Sequence, residues 1–411
     1  MKINCNINYS VDMEKCNIDY LTAVFKQLQK MVFADFAKTS LEQFGDKYMK
    51  MDTKPFHCVC GNCTDFIWKT KNAKSMKITT IFTELTLPQM QVECKACGKK
   101  MFISRALLGI EKYQKMSSTT QKMMALIGAL TTFRVAEKIL GLVGVVINRM
   151  KVWRCVQTVG KTISFDLDTK ELPSGEADGT GIPINGIKKR GMELKVFIQK
   201  KVKGGVRIAG LAIGKYDSGW DKLFEPLREK IKSFKTFLLV TDGDTSIFKG
   251  VKCLNVILQR CLWHIPHQLK HCLWADGVKR KSDYYKEVTG KIYDITAIRP
   301  HMETDDIEAV LCEKLKRLDA LIALCQERGY KRCESYLVNA KPDMFSALKL
   351  RLNGKSSSLV ERVMRTVNMR VNVGKWSPEG ALNAMNLRLA HYYNNWLPGG
   401  PDTKGVTITR L

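Results

Sequence analysis

The sequence predicts an α/β core interrupted by an all-helical insertion and preceded by a cysteine-rich strand unit and a basic helical segment. Three observations carry this. Strand patterns at 193–216 and 236–240 give way to helical spacing of apolar residues at 280–350 and again beyond 356. Two Cys-x2-Cys pairs, Cys60/Cys63 and Cys94/Cys97, bracket a strand-like stretch. Residues 58–160 carry 16 basic and 5 acidic side chains, and the rest of the chain is also basic without a basic tail.

Residues 1–50 are predicted as a small helical lead-in, since Tyr20, Val24, Phe25, Leu28 and Met31 recur at helical spacing. Between Cys58 and Cys97, Ile78, Ile81, Phe82, Leu85 and Leu87 mark strands. From Ser117 to Gly160 the pattern is helical in two or three short amphipathic segments, with N-cap hydroxyls at Ser117-Ser118-Thr119-Thr120. A polar stretch then ends at Pro173-Ser174-Gly175. Glu193–Lys200 and Val206–Tyr216 are predicted as paired strands around the turn Lys203-Gly204-Gly205. A helix over Trp220–Lys232 and an apolar strand over Thr236–Val240 follow. Ser356–Arg370 and Pro378–Trp396 are predicted helices.

Composition narrows the function classes. The 411 residues carry a net charge of +27 and are 45% hydrophobic, which suits a folded protein of about two to four domains. Eleven prolines are too few for a Pro-rich linker protein. The longest clean apolar run, Ile139 to Ile147, has nine residues, against the ~20 a membrane helix needs. The N-terminus lacks an apolar signal core, so a cytoplasmic protein is expected. There its 14 cysteines would serve metal ligation or core packing rather than disulfides. A surface basic over several domains attracts polyanions, of which nucleic acid is the commonest.

Cys60, Cys63, Cys94 and Cys97 can place four thiolates tetrahedrally around one structural Zn²⁺. Gly98 permits the tight knuckle after the second pair, while His57 or Cys58 could replace a ligand of the first. Thr132–Glu137 reads as one short helix, Gly141–Gly144 as a turn, and the segment with Asn148, Arg149, Lys151 and Arg154 as a second helix with a basic face. That is the pattern of a helix-turn-helix, with Arg149, Lys151 and Arg154 as its DNA contacts.

Asp178-Gly179-Thr180 opens a strand pattern, and Asp242 directly follows the buried strand Phe237–Val240 as Thr241-Asp242-Gly243-Asp244. Carboxylates at strand ends sit at the sheet rim where open α/β sheets act. Glu361 lies on a later helix with Arg362, Arg365 and Arg370. Two Asp and one Glu form an all-oxygen set suited to Mg²⁺. Asp244, Asp166 and Asp168 are the competing carboxylates and rank lower. Cys261, His264, His267 and His271 could form a second zinc site, but no glutamate follows His267, so that reading is not favoured.

From about Asp166 to Trp396 the chain resembles the DDE transposases of prokaryotic insertion sequences, of the Mutator-like superfamily. Asp178-Gly-Thr, the strand-ending Asp242, Cys261-x2-His264 and Ser358-Leu-Val-Glu361-Arg362, with Arg365 and Arg370 behind, carry the resemblance. The family commonly has an Asn shortly before the Glu, where this chain has Ser357 and Ser358. The resemblance implies a ribonuclease-H-like catalytic core with a helical insertion between the second Asp and the Glu. It implies catalysis by Asp178, Asp242 and Glu361 on two Mg²⁺ ions (or Mn²⁺), and DNA contacts or support from Cys261, His264, Arg362, Arg365 and Arg370.

The expected domains are a helical segment 1–55, a zinc ribbon 56–104, a helix-turn-helix 105–162, the ribonuclease-H-like core 163–275 with its C-terminal helices 355–411, and the helical insertion 276–354. The expected partners are double-stranded DNA, as transposon ends and target, and a second copy of the chain in a homodimer, with no membrane. Such a protein would be prokaryotic and nucleoid-associated. A domesticated zinc-containing DNA-binding regulator, or a ribonuclease-H-like nuclease without strand transfer, are the alternatives.

Overall fold

The computed structural model describes residues 3, 5, 8–12, 17–61, 65–187, 192–298, 306–351 and 358–399. It divides into two compact units, Met1–Cys155 with Pro398–Leu411, and Val156–Leu397.

In the first unit the helical lead-in is one long helix, α1 (Ile18–Met49), N-capped by the Asn17 side chain. Its C-terminal half packs on a three-stranded antiparallel sheet of β1 (Phe66–Thr79), β2 (Glu84–Cys94) and β3 (Lys100–Phe102). Gly45 makes this approach possible, because a Cβ there would lie 2.6 Å from Met90 Cε. Leu41, Phe66, Ile78, Leu87, Met90 and Val92 are among the apolar residues that fill the core. Three helices follow, α2 (Ser104–Leu107), α3 (Ser118–Leu130) and α4 (Phe133–Leu142), and then α5 (Arg149–Gly160), within which the division between the units falls. Ser117 and Thr132 cap α3 and α4 through their hydroxyls, as serine and threonine do at helix starts.

The second unit is built on a mixed five-stranded sheet of β4 (Ser174–Ile182), β5 (Met192–Lys200), β6 (Val206–Gly214), β7 (Phe237–Thr241) and β8 (Val256–Arg260). The strand order is β6-β5-β4-β7-β8. β4, β5 and β6 are antiparallel neighbours, whereas β4–β7 and β7–β8 are parallel. The turn between β5 and β6 falls on Gly204 and Gly205, with φ of 85° and 79°, a backbone region glycine adopts at no steric cost. The predicted helix over Trp220–Lys232 is broken into α6 (Trp220–Phe224), a 3₁₀ turn and α7 (Arg228–Ser233). Pro226, which has no N–H to continue an α-helix, sits in that turn.

The start of β4 departs from expectation. Ser174 and Gly175 begin the strand rather than ending a loop, so Asp178 lies in mid-strand and not at a strand end. Glycines weaken the strand signal, yet packing requires them here. A Cβ on Gly175 would lie 2.4 Å from the Ile198 carbonyl, and one on Gly179 2.2 Å from Glu193 Oε1.

After α8 (Thr245–Val251) and β8 the chain enters a helical block of α9 (His264–Ala275), α10 (Asp283–Thr296), α11 (Ile307–Glu327), α12 (Lys331–Ala340) and α13 (Ser346–Lys349). The block's core already includes Leu262, Ile265, Leu269 and Leu273, so α9 belongs to it by packing. Arg260 on β8 ties sheet to block by pairing with Asp343 at 3.0 Å. The chain then returns as α14 (Ser358–Val371), packed on β4, and α15 (Pro378–Tyr393), packed on β6. Among the described residues no helix is long and apolar enough to cross a membrane.

Candidate functional site

Three distant segments bring Asp178, Asp242 and Glu361 together. The parallel register pairs Glu176 on β4 with Val240 on β7. Two residues further on in each strand direction stand Asp178 and Asp242, and a spacing of two keeps side chains on one face. Asp242 directly follows β7, its Oδ1 accepting the Asp244 N–H at 2.9 Å. Asp178 accepts the Gly179 N–H at 2.7 Å. Burial and then the negative charge of Asp242 push the Asp178 carboxyl up to about 7, with Glu361 adding to the effect. A carboxyl in this position resists ionising because neighbouring carboxylates share its poorly solvated space.

Glu361 reaches the site from the first turn of α14. Its Oε1 lies 3.5 Å from His264 Nε2, at the start of α9. Burial alone would lower the pKa of His264, but the Cys261 side chain and the charges of Glu361 and Asp242 outweigh it and raise the group above an ordinary histidine. Cys261 itself is wholly buried at the end of β8, packed with Leu238, Val240 and Ala347. It supports His264 from inside the sheet, and the expectation of a DNA contact through its side chain is corrected accordingly.

The competing carboxylates have other partners. Asp244 caps α8 by accepting the Ser246 N–H at 2.7 Å. Asp166 pairs with Lys230. Asp168 accepts the Lys170 N–H and pairs with Arg207 at 2.8 Å, and both interactions hold it below the ordinary carboxylate range.

Sequence reasoning missed three residues beside the site. Glu176, fully buried, accepts the N–H groups of Leu359 and Val360 at the start of α14 and pairs with Lys200 at 3.0 Å. Glu193 lies over Gly179 and pairs with Lys195, whose side chain is fully buried with its ammonium 4.8 Å from the Trp220 ring centre. Burial raises the Glu193 pKa, and Asp244 and Asp242 add to it against the opposing Lys195. The available signal was charged residues at every second position of otherwise apolar strands, which marks an inward charge that needs a partner.

Of the basic residues assigned to DNA, Arg149, Arg154, Arg362 and Arg365 are exposed, and Lys151 is half-buried. Lys151 lines a cleft of about 400 Å³ with Lys77, Arg105 and Lys115. Arg362 lines a smaller cleft of about 270 Å³ with Lys201, Tyr392 and Tyr393. Arg370 is different. It is buried with its guanidinium 4.5 Å from the Trp376 ring centre, and burial pulls its pKa down to about 10. Its role is packing, and its assignment to DNA is corrected.

In the first unit Cys58, Cys60, Cys94 and Cys97 gather their sulfurs within 4.8 Å of one another, a cluster that can hold a metal such as zinc. Gly98, at φ 68°, turns the chain so that its N–H reaches the Cys94 carbonyl at 2.9 Å. Three of the four expected ligands are therefore in the cluster. Cys63 lies outside the described residues, and among those described Cys58 supplies the fourth thiol, 3.5 Å from Cys97. Among the described residues, no other group of three or more histidines, cysteines, aspartates or glutamates is gathered this way. Comparison with protein-family models and with curated proteins finds no match to this chain.

Proposed function

We propose that the chain is a DDE transposase that binds the terminal inverted repeats of its element, cleaves DNA at the ends and joins the freed 3′-hydroxyl to target DNA. The observation that carries this reading is the convergence of Asp178, Asp242 and Glu361, in which burial first, and then the charges of Asp242 and Glu361, raise the Asp178 pKa. The mixed sheet, with Asp178 on β4, Asp242 directly after its parallel neighbour β7 and the glutamate's helix packed on β4, supports a ribonuclease-H-like core. An all-oxygen carboxylate set fits Mg²⁺ or Mn²⁺. When bound, a pair of such ions stabilises the attacking and leaving oxygens of phosphoryl transfer.

The chain's own residues do the remaining work. Asp178, Asp242 and Glu361 would hold the cations, and His264, whose pKa the Cys261 side chain and the charges of Glu361 and Asp242 raise against its burial, stands beside Glu361. Lys195 holds Glu193 in place beside the aspartates. Arg365, and Arg149, Lys151 and Arg154 in the first unit, would meet phosphates, which position DNA without reading its sequence. A zinc ion on the cysteine cluster would be structural, because four protein ligands leave no open position. Acting on two transposon ends at once calls for a homodimer.

The test uses DNA flanking the gene as substrate. Asp242→Asn is expected to abolish Mg²⁺-dependent cleavage while end binding stays within about twofold of wild type. Cleavage by this variant at near wild-type rate would remove Asp242 from the site. Sequence-specific binding without cleavage by wild type would favour the regulator, and cleavage without joining the nuclease.

A further inference from the structure

Of the seven tryptophans in the chain, only Trp263 and Trp274 are exposed, at 53% and 78%. Indoles are large and apolar, and are highly buried on average. Both belong to one helix face. Trp263 immediately precedes α9, and His267, Lys270, His271 and Trp274 follow at steps of three and four residues, which share a face. The opposite face, Ile265, Leu269 and Leu273, is buried in the core of the helical block. The outward row is thus a solvent-facing stripe of flat rings.

The rings at the start of this row lie close together, Trp263 edge-on to His264 and tilted by 40° against His267. The Trp263 ring centre lies 4.2 Å from that of His267 and 4.9 Å from that of His264. Beyond His267 opens a cleft of about 530 Å³ whose lining includes His271, Trp274, Arg280 and Tyr285. That volume falls in the range of about 300–1,000 Å³ typical of ligand pockets. Lys270 forms part of its wall, with its ammonium on Tyr293 at 2.7 Å from the hydroxyl. Lys279, Arg280 and Lys281 follow as an exposed cationic run. The acids nearest in sequence are engaged: Asp276 accepts the N–H groups of Arg332 and Cys333, and Asp283 pairs with Lys286 at 3.4 Å.

Exposed ring faces beside cations select a polyanion that also carries flat apolar rings, which is nucleic acid. Inside a duplex the base faces are already stacked on one another, so the stripe can be used only by unpaired bases. We propose that the outer face of α9 is a stacking track for an unpaired DNA strand, with Trp263 and Trp274 as its platforms. The track begins one residue from His264 and so leads to Glu361. Its delivery of a strand to the carboxylates rests on the phosphoryl-transfer reading; the stacking does not.

The test measures binding of full-length protein, in EDTA, to a fluorescein-labelled unpaired 12-nucleotide probe (roughly the span of an OB-fold site) and to the matching duplex. Trp263→Ala and Trp274→Ala should each weaken unpaired-strand binding roughly tenfold, and the double variant about a hundredfold, with duplex affinity changed less than about threefold. The phenylalanine variants should retain most of the affinity, which separates lost stacking from lost folding. Unchanged binding of the unpaired probe by the double alanine variant, or an equal loss on both probes, overturns the track. Because no cleavage is needed, a wild-type protein that stacks but never cuts refutes the transposase reading and leaves the track standing. One that cuts while the double variant binds normally does the reverse.

Discussion

Glu176 on β4 accepts the backbone N–H of Val360 on α14 at 2.8 Å, and that of Leu359 at 3.1 Å. The first N–H groups of a helix lack intrahelical partners, and a carboxylate there also meets the positive end of the helix dipole. At the far end of the same contact Thr180 donates to Asn368 at 3.1 Å. The strand bearing Asp178 therefore sets the start and the register of the helix bearing Glu361.

Removing the Glu176 carboxylate should release that helix. Glu176→Ala leaves Lys200, only 14% exposed, without its partner, and is expected to destabilise the protein by about 3–5 kcal/mol. Glu176→Gln should cost less, because the amide oxygen still accepts. Denaturant unfolding gives the energies, and faster amide exchange at Leu359 and Val360 locates the loss. An alanine variant as stable as wild type would contradict the role.

Asp178 should make stability fall as pH rises. Its carboxyl is raised to about 7 in the folded chain, against about 3.9 when unfolded. Between those values the folded chain keeps a proton that the unfolded chain has lost, so stability declines through that window and levels off above pH 7. The penalty is on the order of 4 kcal/mol. In EDTA, Asp178→Asn should therefore melt higher than wild type at pH 8 and close to it at pH 4. The opposite ordering at pH 8 would mean that the carboxyl is not buried against its neighbours.

Much of this site was legible in the sequence, and the exceptions share a cause. Asp242 stands out in the sequence because an apolar strand ends on it, whereas Glu361, on a segment of helical spacing, stands out only through the family resemblance. Asp178 lies in mid-strand rather than at a strand end because Gly175 and Gly179, which weaken the strand pattern, are required by close packing against Ile198 and Glu193. Glu176, Glu193 and Lys195 act only through partners distant in sequence or buried, which periodicity does not reveal. The sequence pattern puts Arg370 on an exposed helix face with Arg365, and the resemblance implies DNA contact or support for Cys261. Burial on Trp376 and under β8 turned both inward.

The cysteine cluster is expected to release about one zinc ion per chain when Cys94 is changed to Ser, with local unfolding of the sheet around β2, since metal binding and folding are coupled in such sites. Cys58→Ser should have the same effect and Cys63→Ser a smaller one, given the sulfurs gathered around Cys94 and Cys97. Elemental analysis of each purified variant decides. Full zinc retention by Cys58→Ser with loss in Cys63→Ser would exchange the two ligands.

Arg365 and Arg370 should separate cleanly although both lie on α14. Arg365 is exposed, and Arg365→Ala should weaken DNA binding on any sequence and reduce the salt slope by about one. Arg370→Ala should leave the slope unchanged and lower stability by about 2 kcal/mol through the lost contact with Trp376. A changed salt slope in the Arg370 variant would return it to the DNA surface.

The most direct measurement is strand transfer from pre-cleaved element ends into plasmid DNA by wild type and Glu361→Gln, with Mg²⁺ or Mn²⁺ present. If Asp178, Asp242 and Glu361 serve phosphoryl transfer, wild type joins the ends, and Glu361→Gln binds them with similar affinity but joins them at least about a thousandfold more slowly. Equal inertness of the two proteins on ends they both bind, or equal activity, would contradict it.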